Sequence, residues 1–309
     1  MRKYFKWIFT GLFILLGIAV AYPFVAGDME TLELDNAARA SMPNESFVKL
    51  SDGYTHYEWA GPENGQPVVL VCGALTPLFI WDYEFKTLAD SGFHVLRYDH
   101  FGRGLSDRPD YRADLYDRQL LELLNSQNIK TPVDLVGRSM GGALTIRFVD
   151  RYPERVRRFA LLAPAGFMSH TPLNIRIVRW PFVGEWAMKA VGDRTIPSVV
   201  AGWIHEPGKK QEFLQKLQEQ MKYKGFKQSF LATLRDMSFN QLKPDYERVG
   251  RSGKKGILLW GTEDQIVSFD QHILVQAVIP SIEFHAIEGG NHDLPPEKVT
   301  PLLIEFLKQ

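Results

Sequence analysis

The chain has 309 residues, of which 45% are hydrophobic, 12% aromatic and 23% charged: enough for one large α/β domain with a well-filled core, too little for two. Its 36 basic and 36 acidic side chains cancel, so nothing calls for nucleic acid or another polyanion as partner. Cys72 is the only cysteine, which excludes an internal disulfide and leaves the redox compartment open.

In chain order, Arg2, Lys3 and Lys6 precede an uncharged apolar run from Trp7 to Ala26, about the twenty residues a bilayer crossing needs. Residues 1–27 are therefore expected to form a transmembrane anchor or uncleaved signal. Cleavage near Ala19-Val20-Ala21, giving a secreted form, is the alternative, with Pro23 against it; a buried core helix is a third reading. The acidic residues Asp28, Glu30, Glu33 and Asp35 follow the run. The positive-inside rule then places the rest of the chain outside the cytoplasm, in the periplasm if the host is bacterial. Residues 28–45 read as a polar linker, and Asn44-Glu45-Ser46 is a glycosylation sequon.

A core is expected over residues 46–164. Phe47 to Leu50 and Tyr54 to Ala60 flank Ser-Asp-Gly as a hairpin, and Pro67 to Val71 is apolar throughout, as in strands buried on both faces. A helix over Trp81 to Asp90 leads to a strand over Phe93 to Tyr98, a polar loop to Asp110 and a helix over Leu115 to Leu124. Two further strands, Val133 to Val136 and Phe159 to Leu162, have a helix between them. Residues 165–253 lack strand signals and are too long for a loop. Helices over Gly184 to Val191, Pro197 to Trp203, Lys209 to Lys222 and Lys227 to Met237 make them an inserted cap. Residues 254–309 return to the core, with strands Gly256 to Trp260 and Ile282 to Ile287, a helix over Gln271 to Val278 and a last helix from Val299. Alternating strands and helices imply a mostly parallel sheet with helices on both faces, opened by the hairpin, with the cap before the penultimate strand.

Gly137-Arg138-Ser139-Met140-Gly141, between a strand and a helix, fits the turn that lifts a nucleophilic serine above a sheet edge. The plainer reading is a Gly/Ser turn ahead of a helix. A serine hydroxyl needs a base, and the base needs a partner that fixes its tautomer. Asp264 follows one late strand and His292 another, so Ser139, Asp264 and His292 occur in the order such a sheet requires; Glu263 or Asp293 are alternative acids. Two backbone amides must meet the developing oxyanion. Met140 supplies one; Ala74, in the turn after Val71, is the candidate for the other. No metal site is expected, since the histidines show no ligand spacing, and no cofactor is called for.

Val71-Cys-Gly-Ala74, Tyr98-Asp-His-Phe-Gly-Arg-Gly-Leu-Ser-Asp107, Gly137-Arg-Ser-Met-Gly-Gly142, Gly261-Thr-Glu-Asp264 and Gly290-Asn-His292 together resemble the α/β-hydrolase fold superfamily over residues 47–308. The likeness is closest to capped bacterial esterases and lipases and to monoacylglycerol-lipase-like members. It implies Ser139, Asp264 and His292 as triad and Ala74 and Met140 as oxyanion amides. Cys72 departs from the histidine usual before that glycine, which puts the loop's geometry in question. Asp99 and Asp107 read as loop-fixing residues. The expected activity is hydrolysis of carboxylic esters with apolar acyl chains, the substrate being a small molecule or lipid. C–C bond hydrolysis, acyl transfer and a non-catalytic binding role are the alternatives. Phe182 and Trp186, in a Trp-rich stretch of the cap, are expected to form an acyl entrance facing the membrane.

Overall fold

The computed structural model describes residues 27–167, 173–204, 207–236, 239 and 241–309, with scattered positions before residue 27. Strands β1 (Ser46–Lys49) and β2 (Tyr54–Ala60) form the expected hairpin, with Ser46 opposite Tyr57. Beyond it lie β3 (Pro67–Val71), β4 (His94–Tyr98), β5 (Val133–Arg138), β6 (Val156–Leu162), β7 (Lys255–Gly261) and β8 (Glu283–Ile287). They form one sheet in the order β1-β2-β4-β3-β5-β6-β7-β8, antiparallel at β1/β2 and β2/β4 and parallel from there on.

Alternation along the strands sends side chains to two cores. Val69, Val71 and Leu135 face one layer, with Leu120 and Leu123 of α3 (Leu115–Ser126) and Ile146 of α4 (Met140–Arg151). Val68, Leu70 and Val136 face the other, with Leu88 of α2 (Asp82–Asp90) and Leu303 and Phe306 of α11 (Pro296–Lys308). Helices on both faces cover the parallel strands, which explains why β3 and β5 carry no polar alternation.

Among the described residues, five α-helices intervene between β6 and β7: α5 (Leu173–Val178), α6 (Val183–Trp203), α7 (Pro207–Met221), α8 (Phe226–Arg235) and α9 (Lys243–Arg251). Ile196 and Val200 of α6, Leu217 and Met221 of α7 and Phe226 of α8 share a small core with Leu75. Tyr246 and Val249 of α9 join the main core instead, and α9 packs against α4 and α10 (Gln271–Val278). Where the sequence suggests two helices meeting near Pro197, α6 runs through the proline. Neighbouring hydroxyls take up carbonyls there: Thr195 donates to Val191 O at 3.1 Å and Ser198 to Arg194 O at 2.8 Å. These bonds serve carbonyls around the ladder position that a proline leaves open.

Residues 28–45 are not a free linker. The Leu32 amide donates to Lys222 O at 2.9 Å and its carbonyl accepts from the Lys224 amide at 2.9 Å. Glu30 accepts the Lys227 and Gly225 amides at 2.6 and 3.3 Å, so its carboxylate sits at the α8 N-terminus, where the helix dipole favours negative charge. A short helix α1 (Asn36–Ala40) follows, capped by Asp35.

The single-pass membrane anchor is a correction. Among the described residues, no helix is long and apolar enough to cross a membrane. Much of the run from 7 to 26 lies outside the described residues. The longest described helix, α6, carries Glu185, Lys189, Asp193 and Arg194, charges that a hydrocarbon core does not accept. The extracytoplasmic placement, which rested on that anchor, falls with it.

Candidate active site

The carboxyl ends of β3, β5, β7 and β8 lie along one edge of the sheet, with β6 between β5 and β7, and each hands over to a loop that carries one part of the site. After β5 the chain reverses at Ser139, whose φ of 56° and ψ of −120° lie where non-glycine residues are rarely found. Backbone bonds hold that conformation: the Ser139 amide donates to Leu162 O at 2.9 Å, and its carbonyl accepts from Gly142, Ala143 and Ala165. The flanking glycines are steric requirements. A Cβ on Gly137 would lie 2.3 Å from Gly141 O, and one on Gly141 would lie 2.2 Å from Val71 O. Such strain persists only where its surroundings impose it, and it lifts Ser139 into a half-buried position above the sheet.

Asp264 and His292 meet because their loops are packed together. A Cβ on Gly261 would lie 2.2 Å from Gly290 O, and the Glu263 amide donates to Gly290 O at 2.9 Å. Asp264 is buried, and its Oδ1 accepts the amides of Ile266 and Val267 at 2.8 and 3.0 Å. Its Oδ2 lies 2.8 Å from His292 Nδ1. With Nδ1–H donating there, Nε2 is left bare as a proton acceptor. Of the alternative acids, Glu263 is exposed, and Asp293 is half-buried with its carbonyl accepting from Arg138 Nη1 at 3.2 Å.

Ser139 and His292 line the same cavity, of about 470 Å³, within the range of small-molecule sites. Gly73, Ala74 and Met140 line it too. Met140 opens α4, so its amide is one of those a helix start leaves without an intrahelical acceptor. The walls are apolar, with Ile80 of the core and Ile175, Val199, Val200 and Phe213 of the inserted helices. Phe182 and Trp186 are not among the lining residues: Phe182 is 87% exposed and Trp186 39%, at the outer start of α6.

The loop after β3 is held from beneath by side chains of the Tyr98–Asp107 stretch. His100 is fully buried, and burial pushes its imidazole down to about 4, so it is neutral and its Nε2 lies 3.0 Å from Cys72 O. That contact secures the turn where Cys72 replaces the usual histidine; the thiol itself is buried and pushed well up in pKa by that burial. Arg103 holds Ala74 O through Nε. Asp99 fixes the stretch, as its sequence context implies, accepting the Leu78 and Leu105 amides at 2.8 and 2.9 Å and lying 2.7 Å from His56 Nδ1. Asp107 accepts the Tyr54 amide at 2.8 Å. Sequence reasoning missed the roles of His100, Arg103 and Arg138; the last, beside Ser139, pairs with Glu84 at 3.0 Å. The one available signal was a set of charged residues inside glycine-rich turns that the fold must bury.

A doubly wound sheet with an acid–histidine pair and a strained serine at its carboxyl edge defines a class of enzymes built on one scaffold. Residues 68–299 match the model of the alpha/beta hydrolase family, and the chain belongs to that family. It is 28% identical over 270 residues to a cis-3-alkyl-4-alkyloxetan-2-one decarboxylase of Shewanella oneidensis, covering 80% of this chain and 81% of that protein. It is 26% identical over 298 residues to a 2-hydroxy-6-oxo-6-phenylhexa-2,4-dienoate hydrolase of Comamonas testosteroni, covering 90% of this chain and 99% of that one. Among solved structures, the enol-lactonase from Burkholderia xenovorans LB400 superposes with a TM-score of 0.73 at 19% identity, over 85% of this chain and all of that one, a likeness of fold.

Proposed function

We propose that the protein is a serine hydrolase that cleaves carboxylic esters with apolar acyl groups through an acyl-enzyme. Ser139 is the nucleophile, His292 the general base and acid, and Asp264 the group that orients and stabilises the imidazole. The observation that carries this reading is the 2.8 Å contact between Asp264 and His292 at the wall of a cavity that Ser139 also lines.

In the forward half-reaction, Ser139 Oγ attacks the ester carbonyl while His292 Nε2 takes its proton. The imidazolium is stabilised by the buried Asp264 carboxylate, and the amides of Ala74 and Met140 receive the new oxyanion. Collapse breaks the C–O bond, and His292 returns the proton to the departing alcohol. Water then attacks the acyl-enzyme by the same route, releasing the acid and free Ser139. Helices α5 to α8 act as a cap whose apolar residues, Val199 and Val200 foremost, take the acyl chain.

Cleavage of a C–C bond in an oxo-dienoate is a second reading, suggested by one feature of the cavity. Arg179 lines it, and among the described residues no carboxylate pairs with its guanidinium, which donates to Arg235 O at 2.9 Å. Nitrophenyl esters of increasing chain length, run beside an oxo-dienoate, test the choice. Turnover that peaks above acetyl supports the ester reading; turnover of the dienoate alone overturns it.

A further inference from the structure

We propose that Arg103 is a positioning residue that holds the Ala74 turn in its oxyanion-binding shape and couples that turn to helix α8 through Thr233. The proposal rests on the serine-hydrolase reading above. Arg103 has no exposed surface. Its Nε donates to Ala74 O, its Nη1 to Gly102 O at 3.1 Å and its Nη2 to Thr233 Oγ1 at 2.9 Å. Among the described residues no carboxylate forms an ion pair with it. A buried guanidinium without a counter-ion is costly, and here that cost is offset by three hydrogen bonds to neutral acceptors, one of them the carbonyl of the oxyanion turn.

Ala74 O and the Ala74 amide flank one Cα, so fixing the carbonyl restricts the rotation that would swing the amide away from the cavity. A fixed positive charge behind an oxyanion-binding turn also favours the negative charge that develops there, without reorganisation during the reaction. The neighbouring carbonyl of Cys72 is held by His100 at 3.0 Å, so both ends of the turn are anchored to one buried loop.

Thr233 supplies the second half of the coupling. It lies on α8 and lines the cavity, and its hydroxyl donates to Ser229 O at 3.0 Å while facing Arg103 and, at 3.1 Å, Tyr116 Oη. An acyl chain that seats α8 thereby orders the guanidinium and, through it, the turn. This link runs between groups 130 residues apart in sequence.

Three variants, Arg103→Met, Arg103→Lys and Thr233→Val, are assayed with butyryl and octanoyl nitrophenyl esters. The expected result is a fall in kcat of about tenfold or more for Arg103→Met with KM within about twofold, since an interaction realised in the transition state is removed. Arg103→Lys should recover part of that loss. Thr233→Val should lower kcat more on the octanoyl ester than on the butyryl one. Should the methionine variant fail to fold, the other two decide. A kcat within twofold of wild type in every folded variant, or a rise in KM alone, overturns the proposal. Labelling by a fluorophosphonate separates the two levels: if Ser139→Ala blocks labelling while the Arg103 variants keep kcat, only the positioning role is lost, whereas labelling of Ser139→Ala removes the serine reading itself.

Discussion

His292 Nδ1 lies 2.8 Å from Asp264 Oδ2, although the two residues sit in loops after different strands. Because Asp264 Oδ1 is already held by two backbone amides, Oδ2 is the oxygen that sets the imidazole tautomer. An asparagine here would keep the amide contacts and turn its NH₂ toward Nδ1, forcing the proton onto Nε2. Asp264→Asn should therefore lower kcat by about 10³–10⁴ with little loss of stability. Steady-state kinetics beside a urea melt check this, and a kcat within tenfold of wild type would assign the acid elsewhere.

The apolar wall predicts how chain length is read. Val200 is buried and lines the cavity. Val200→Phe should fill space used by the far end of an acyl chain, raising KM for octanoyl esters several-fold and changing acetyl turnover within about twofold. Equal losses on both esters would place the acyl chain against another wall.

The N-terminal segment makes a prediction about stability. Glu30 caps α8, and Lys227, buried on that helix, bonds Asp28 at 2.7 Å and Asp193 at 2.8 Å. Glu30→Ala should lower stability by about 1 kcal/mol, the usual loss for a helix cap. Hydrogen exchange should rise in α8 and not in β5. Uniform exchange changes would mean that the segment stabilises the whole domain and not the inserted helices.

His56 gives stability a pH dependence. Burial alone would lower its pKa, but the Asp99 and Glu45 carboxylates on its two nitrogens raise it on balance. A histidine whose folded pKa is raised contributes stability in full below its unfolded value, near 6.5, and loses it as pH rises through the folded value. Urea midpoints should fall as pH rises above about 6.5, and His56→Gln should flatten that slope. An unchanged slope in the variant would trace it to another group.

How much of this was legible in the sequence follows from how local each cause is. Gly137 and Gly141 announce the turn because each excludes a Cβ at close range, and Asp264 and His292 follow strands that apolar runs make obvious. The two-faced burial of β3 and β5 is likewise written in their lack of alternation. Contacts between distant segments were not legible: Glu30 on Gly225 spans 195 residues and Arg103 on Thr233 spans 130. Pro197 signals a break, yet α6 runs through it. The run from Trp7 was read from its hydropathy and its flanking charges, whereas the described helices are placed by what they pack against. Phe182 and Trp186 were chosen for their composition, which does not say which side of α6 faces the cavity.

Nucleophilic catalysis by this chain turns on one bond, between Ser139 Oγ and an electrophile. Intact mass after treatment with a fluorophosphonate measures it most directly. The wild-type chain should gain a single adduct, mapped by peptide analysis to Ser139; Ser139→Ala should gain none, and His292→Ala should gain it slower by orders of magnitude. An adduct of equal yield on Ser139→Ala would contradict the account.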